Sequence, residues 1–424
     1  MKGIINFISD FYKNSGGWIF ASTLFNKFIL FLIKVFVLMY VEKETFGHIT
    51  YSLALLAFFT PFVGMGSPAG LLRFGSVIQQ AQTRLQLAGY AFGLGLISTL
   101  FMIFLMALGF YFYEKDQPIV SLFLLILVWR MLALFLYNHQ SAQMRIENKN
   151  KLFGQYDMVN SLVLLLSAVL LTIFFNATGY IFALVISPII TFIFYSFRFG
   201  FPKIQFNMPK EIAKKSFWNY AMLSSFTSVI AQIVFFLDVF LIEKFMTADD
   251  VAEYGAATLI PLNILILPLI FMRTDFTKIA QNELNYKFLR NYYKNYFYLF
   301  LIITSVGMLL SYVLGEWLFS FLDDAYSPFD IFLILMLGSC FAILLRVPLT
   351  GILNALGFAK INTITGLFTL FLSLGLNLYL IPIYGLHGAA WATTLSLMVS
   401  GVLSWIYFEW YLRKIKNQAQ IAKD

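Results

Sequence analysis

Seven charged side chains stand inside, or at the very end of, long apolar runs, and their types limit the chemistry open to the chain. Lys27 and Lys34 are seven residues apart, so on a helix they share a face with Thr23. Arg130 lies near the middle of the run 118–138. Arg73, Arg273 and Arg346 close three other runs, and Asp238 sits in the outer part of a fourth. An ionisable group at membrane depth costs about 2.5 kcal/mol or more unless it faces water or a partner. For Arg73, Arg273 and Arg346 the plain explanation is flanking and snorkelling to the interface. Lys34 can reach outward in the same way, whereas Lys27 is about nine residues deep. Lys27, Lys34 and Arg130 therefore predict an internal aqueous cavity, which Arg73, Arg273 and Arg346 can join. A cavity lined by cations calls for an anion. Phosphate suits it, because arginine grips it as a fork and lysine as a point charge. Asp238 is a candidate for ion pairing or for coupling to an ion.

Nothing in the chain points to covalent catalysis. The single cysteine, Cys340, falls in a predicted span. His48, His139 and His387 are far apart and match no metal-ligand spacing. There is no Gly-Lys-Ser/Thr phosphate loop. No cofactor and no metal is expected, and the chain reads as a non-enzyme.

The composition fixes the elements that must hold these residues. Hydrophobic residues are 60% and charged residues 12% of the chain, with a mean hydropathy of +0.80. Ordinary globular chains carry about 25% charge. Apolar runs of about 20 residues recur, each able to cross a bilayer core of about 30 Å. The fold class is an all-α polytopic membrane protein. A β-barrel would show alternating segments instead. The pattern predicts twelve spans, near 18–40, 50–72, 87–113, 118–138, 158–176, 178–197, 217–242, 255–273, 294–314, 329–350, 361–382 and 385–411. Residues 1–17 suit a short interfacial helix, and no cleavable leader is evident. Of the 29 Lys and Arg, 23 fall on the N-terminal side of this layout. Three (Lys43, Lys115, Lys244) fall on the other, and three (Lys27, Lys34, Arg130) lie within spans. The positive-inside rule then makes both termini cytoplasmic. The same distribution argues against nucleic acid as the reason for the net charge of +8. Outer loops are short. The longest, 315–328 with Asp323 and Asp324, has no room for a folded domain, which counts against a polysaccharide polymerase.

The basic linker 198–216 divides the chain into a six-helix bundle at 1–197 and another at 217–411, followed by a tail at 412–424. The two parts are weakly alike. Glu42-Lys43 and Glu243-Lys244 follow corresponding spans, and Gly179-Tyr180 corresponds to Gly385. This suggests parallel repeats with a substrate path between them.

Near the end the chain reads Asn377-Leu-Tyr-Leu-Ile-Pro-Ile-Tyr-Gly-Leu-His-Gly-Ala-Ala-Trp-Ala-Thr-Thr-Leu-Ser396. The expected form is a span ending at Pro382, a turn through Tyr384-Gly385, and a small-residue helix start at Gly388-Ala389-Ala390. This wording resembles the penultimate-loop signature of polysaccharide exporters in the multidrug/oligosaccharidyl-lipid/polysaccharide superfamily, above all the Wzx-type O-antigen flippases. Phe236-Leu237-Asp238-Val239-Phe240-Leu241-Ile242 with Tyr254-Gly255, and Gly351-Ile352-Leu353-Asn354-Ala355-Leu356-Gly357, are similar to two further pieces of that family, so that the likeness runs along nearly the whole chain. The resemblance implies a bacterial inner-membrane flippase carrying an undecaprenyl-diphosphate-linked oligosaccharide from the cytoplasmic to the periplasmic leaflet by alternating access, for O-antigen or capsule biosynthesis. It implies the lipid-linked glycan and the bilayer as partners, and a polysaccharide polymerase and chain-length proteins as candidates. The alternative is a cation-coupled multidrug exporter of the same superfamily, which prefers acidic cavity residues. A lipid II flippase is a variant with more spans. A membrane glycosyltransferase would need a catalytic carboxylate or a large outer loop.

Overall fold

The computed structural model describes residues 17–113, 118–147, 149–320 and 328–421. The helix expected over 1–17 lies outside these residues apart from Gly17, as do Lys115, Asp323, Asp324 and the last three residues of the tail. Among the described residues the regular elements are all helical, and eight helices are long and apolar enough to cross a membrane. The chain is a multi-pass membrane protein. It divides into two compact units, one of Ser22–Phe236 and one built on Leu237–Asp424.

In the first unit α1 is Gly17–Tyr40, α2 Lys43–Phe59, α3 Ser67–Gly75, α4 Ala81–Tyr113, α5 Pro118–Ile146 and α6 Asn150–Phe199. The helix α7, Lys214–Phe245, runs across the division between the units. The span expected at 50–72 begins earlier, at Lys43, and is interrupted by a tight 3-10 segment, Thr60–Gly66. Pro61 withholds one backbone donor there, and Gly64, Met65 and Gly66 turn through positive φ. The helix ends were misjudged for one reason. Backbone hydrogen bonds continue through polar residues at the interface, where an apolar count stops.

Helix α6 is 50 residues long and joins two expected spans. It breaks at Asn176 (φ 52°, ψ −140°). Three residues on, Gly179 lies so close to the carbonyl of Leu171 that a Cβ there would stand 1.9 Å from its oxygen. Asn176 pays for this hairpin in backbone strain, since only glycine adopts that region freely. Its side chain is exposed. Asn176→Gly should therefore stabilise the protein by about 1 kcal/mol, read as a higher midpoint of thermal unfolding in detergent. An unchanged or lower midpoint would show that Asn176 makes a contact worth more than the strain.

In the second unit α8 is Ala248–Ala257, α9 Pro261–Ile264, α10 Ile266–Gln281, α11 Tyr286–Phe319, α12 Phe329–Phe341, α13 Val347–Ala355 and α14 Ala359–Ile421. A capping box starts α8: the Thr247 hydroxyl accepts from the Asp250 amide, and the Asp250 carboxylate accepts from the Thr247 amide. The helix expected over 255–273 is broken around Pro261. Arg273 follows Pro261 by twelve residues, as Arg73 follows Pro61. A π-helical turn at Ala342–Arg346 links α12 to α13.

Helix α14 continues through Pro382, where a span end was expected, and breaks at Gly385 (φ 58°, ψ −134°). A Cβ on Gly388 would stand 2.2 Å from the Leu380 carbonyl oxygen. The two units thus contain the same hairpin. Asn176 corresponds to Gly385 and Gly179 to Gly388, rather than Gly179 to Gly385. Helices α12 and α14 interlock nearby: Thr394 donates to the Ile334 carbonyl (2.8 Å), and Gly338 leaves room for Thr394.

The segment after α6 lies along α4. The Gln205 amide donates to the Gly89 carbonyl (3.1 Å), and Gly89 and Gly93 leave room for the backbone oxygens of Lys203 and Gln205.

Candidate functional site

The charged groups fall into local sets. In the first unit α1 brings Asn26 and Lys27 to the start of α6. The Asp157 carboxylate accepts from the Asn26 amide and from the Tyr137 hydroxyl of α5 (2.7 Å). Lys27 lies within the field of Asp157, and Lys34 within that of Lys27. Lys27 is half-buried and Lys34 is exposed. Tyr137 stacks on Tyr156 (4.6 Å between centroids), which meets Tyr195 edge-on (5.0 Å). These rings wall one side of the set.

Arg130 is half-buried on α5, with Tyr180 of α6 as its electrostatic neighbour. Its Nη1 is buried and has no hydrogen-bond partner among the described residues. A guanidinium in this state carries an unmet demand for an acceptor. Arg73 is exposed in the last turn of α3.

In the second unit the Asp238 carboxylate is 4% exposed. It accepts from the Tyr254 hydroxyl (2.7 Å), the Asn377 amide (2.8 Å) and the Thr393 hydroxyl. Asn377 also donates to the Ser373 carbonyl (3.0 Å), and its own Oδ1 is buried without a partner. Asn377 and Thr393 each stand eight residues from Gly385. The hairpin therefore folds them to one level, about 12 Å from its tip at 1.5 Å per residue. Among the described residues the hydrogen-bond partners of Asp238 are these neutral donors. Three neutral donors around a buried carboxylate leave it able to take up a proton or a hard cation. Arg346 is half-buried at the end of the π-helical turn, and Arg273 lies in α10. No group of three metal-ligating His, Cys, Asp or Glu occurs among the described residues.

The arrangement offers cations with unmet acceptor demand in one unit and a buried, neutral-partnered carboxylate in the other.

No protein-family model matches the chain. Among solved structures, the lipid II flippase MurJ in an inward closed conformation superposes with a TM-score of 0.73 at 14% identity, over 95% of this chain and 90% of that one. An inward-facing multidrug resistance MATE transporter of the MOP superfamily superposes with a TM-score of 0.65 at 14% identity, over 91% and 99%. The chain shares the fold of these two structures. One curated relative, a Shigella flexneri protein provisionally named an O-antigen transporter, is 28% identical over 186 residues. That match spans 43% of this chain and 44% of the relative, less than half of either. These proteins are transporters and flippases, not enzymes. The resemblance read from the Asn377–Ser396 signature agrees with them.

Asp157, Tyr137 and Asn26 escaped the sequence reading. Asp157 falls just before the span expected at 158–176, whereas the helix itself starts at Asn150. The available signal was a lone carboxylate, Asp157, standing one residue ahead of an apolar run.

Proposed function

We propose that the protein moves an undecaprenyl-diphosphate-linked oligosaccharide from the cytoplasmic to the periplasmic leaflet of a bacterial inner membrane, by alternating access, for surface polysaccharide assembly. The observation that carries this reading is the unpaired, buried Nη1 of Arg130 in a unit whose helix α1 also carries Lys27 and Lys34. A diphosphate supplies the missing acceptors and neutralises the cations. The Shigella relative's name and the lipid II flippase fold support a lipid-linked glycan. Arg73, Arg273 and Arg346 are proposed to contribute to the cationic path, with 198–216 as the cytoplasmic linker between six-helix bundles. Splitting the two long helices at Asn176 and Gly385, and adding α1 and α7 to the eight candidates, supports twelve spans with both termini cytoplasmic. Delivery to a polysaccharide polymerase and chain-length proteins belongs to the same proposal.

In vesicles containing the purified protein, the lipid-linked glycan should become accessible at the far leaflet, and excess undecaprenyl diphosphate should compete with it. A neutral glycan without the diphosphate should compete poorly. Transfer indifferent to the diphosphate would sink the reading.

Asp238 is proposed as the coupling group. Asp238→Asn preserves shape and removes the charge. It should abolish ion-driven transfer while leaving binding of undecaprenyl diphosphate in detergent unchanged. Full ion-driven transfer by the variant would remove Asp238 from the mechanism.

The second reading is a cation-coupled drug exporter. It is favoured by the MATE likeness and by Asp157, a further carboxylate, which accepts from Asn26 and Tyr137 in the first unit. Export of a cationic drug with Asp238 essential and Lys27, Lys34 and Arg130 dispensable would establish it instead.

A further inference from the structure

A cleft of about 470 Å³ opens where the start of α4 meets the end of α5 and the start of α6. Small-ligand sites fall in the range of about 300–1,000 Å³. Its polar wall is largely fixed. Arg84 Nη1 donates to the Ile146 carbonyl (2.8 Å) and Gln140 Nε2 donates to Ser196 Oγ (3.2 Å). Gln143 donates to Glu147 (3.2 Å), which also pairs with Lys149 (2.6 Å). Two groups remain: the Arg84 Nε donor and the Gln140 Oε1 acceptor are both buried without partners. Gln140 is 5% exposed and lines the cleft.

The two orphans differ in kind, and that difference selects the ligand. An anion accepts from Arg84 but leaves Gln140 Oε1 unmet and faces Glu147. A cation does the reverse. Hydroxyls both donate and accept, so a polyol can meet the Arg84 donor and the Gln140 acceptor with no net charge. Leu152 and Met144 line the same cleft and suit the apolar face of a sugar ring. We infer that this cleft is a saccharide subsite, separate from the cationic diphosphate site around Arg130, which holds the sugars of the substrate at the cytoplasmic surface before transfer. The identity of the sugar's carrier rests on the flippase reading; the cleft's chemistry does not.

The test uses the full-length protein with Cys340→Ala and Leu85→Cys, which puts a thiol at the exposed mouth of the cleft. The probe is the oligosaccharide released by mild acid from the source cells' lipid-linked pool. It should slow maleimide modification of position 85, and inorganic phosphate should not. Gln140→Leu and Arg84→Lys should each raise the half-protecting concentration about tenfold, as expected for one lost hydrogen bond to a buried or charged group. No protection by the oligosaccharide, equal protection by phosphate, or protection that survives both substitutions in folded protein would each overturn the inference. Protection without vesicle transfer would instead refute the flippase reading and leave the subsite standing. Transfer without protection would do the opposite.

Discussion

Arg130→Ala should reduce export of the lipid-linked glycan at least about tenfold while leaving the protein in the membrane. A hydrogen bond to a charged group contributes about 1.5–3 kcal/mol, and every 1.4 kcal/mol is a factor of ten in binding. The guanidinium has a buried Nη1 with no partner, so its removal strands no protein acceptor. The substrate-free variant should then unfold at the same or a higher temperature than the wild type, because an uncompensated charge has left the interior. The stabilisation conferred by undecaprenyl diphosphate should shrink at the same time. Arg130→Lys keeps the charge but not the fork and should fall between the two. A substrate-free protein that loses stability on Arg130→Ala, with export reduced only in proportion, would make Arg130 a structural residue. Equal export would remove it from the site.

Gly388→Ala should leave little folded protein. The added Cβ would stand 2.2 Å from the oxygen and 2.5 Å from the carbon of the Leu380 carbonyl. Both are backbone atoms of the same hairpin, so no rotamer change relieves the clash. Overpacking costs typically about 1–3 kcal/mol even where side chains can yield. The hairpin must open, and opening it separates Asn377 from Thr393 and strips Asp238 of donors on both arms. Gly179→Ala should behave alike in the first unit, where the Leu171 oxygen is 1.9 Å away. Gly366 and Gly375, in the same helix as Gly388, have open space at the Cβ position. Alanine there should be harmless or mildly stabilising. Membrane yield and thermal midpoint of the four variants decide it. Wild-type behaviour of Gly388→Ala would mean the helices part without loss.

Much of the second unit's site was legible because its parts sit in recognisable wording. Asp238 with Tyr254 and the Asn377–Ser396 signature stand in the sequence as two separate pieces, and the fold brings them to one carboxylate. Arg130 was legible for a simpler reason: an arginine amid leucines has to be explained. The first unit's cluster was not, since Asn26 carries no charge and Asp157 stood outside an apolar count that started one residue too late. The two hairpins also differ in their letters. Glycine at 385 announces a turn, whereas Asn176 holds the same backbone angles under strain, which a reading of residue preferences does not expect. The breaks at Thr60–Gly66 and around Pro261 were hidden because proline and glycine inside apolar runs are common in membrane helices.

The run from Phe201 to Met208 lies within the basic linker 198–216, yet Gln205 is fastened to Gly89 and the chain lies against α4 through Gly93. Little of it is free to act as a tether. A tag or reporter inserted between Pro202 and Phe206 has to lift the strand from its seat, whereas one placed after Lys210, on the exposed approach to α7, does not. The obvious splice point for engineering this protein is thus shifted by several residues from where its composition would put it.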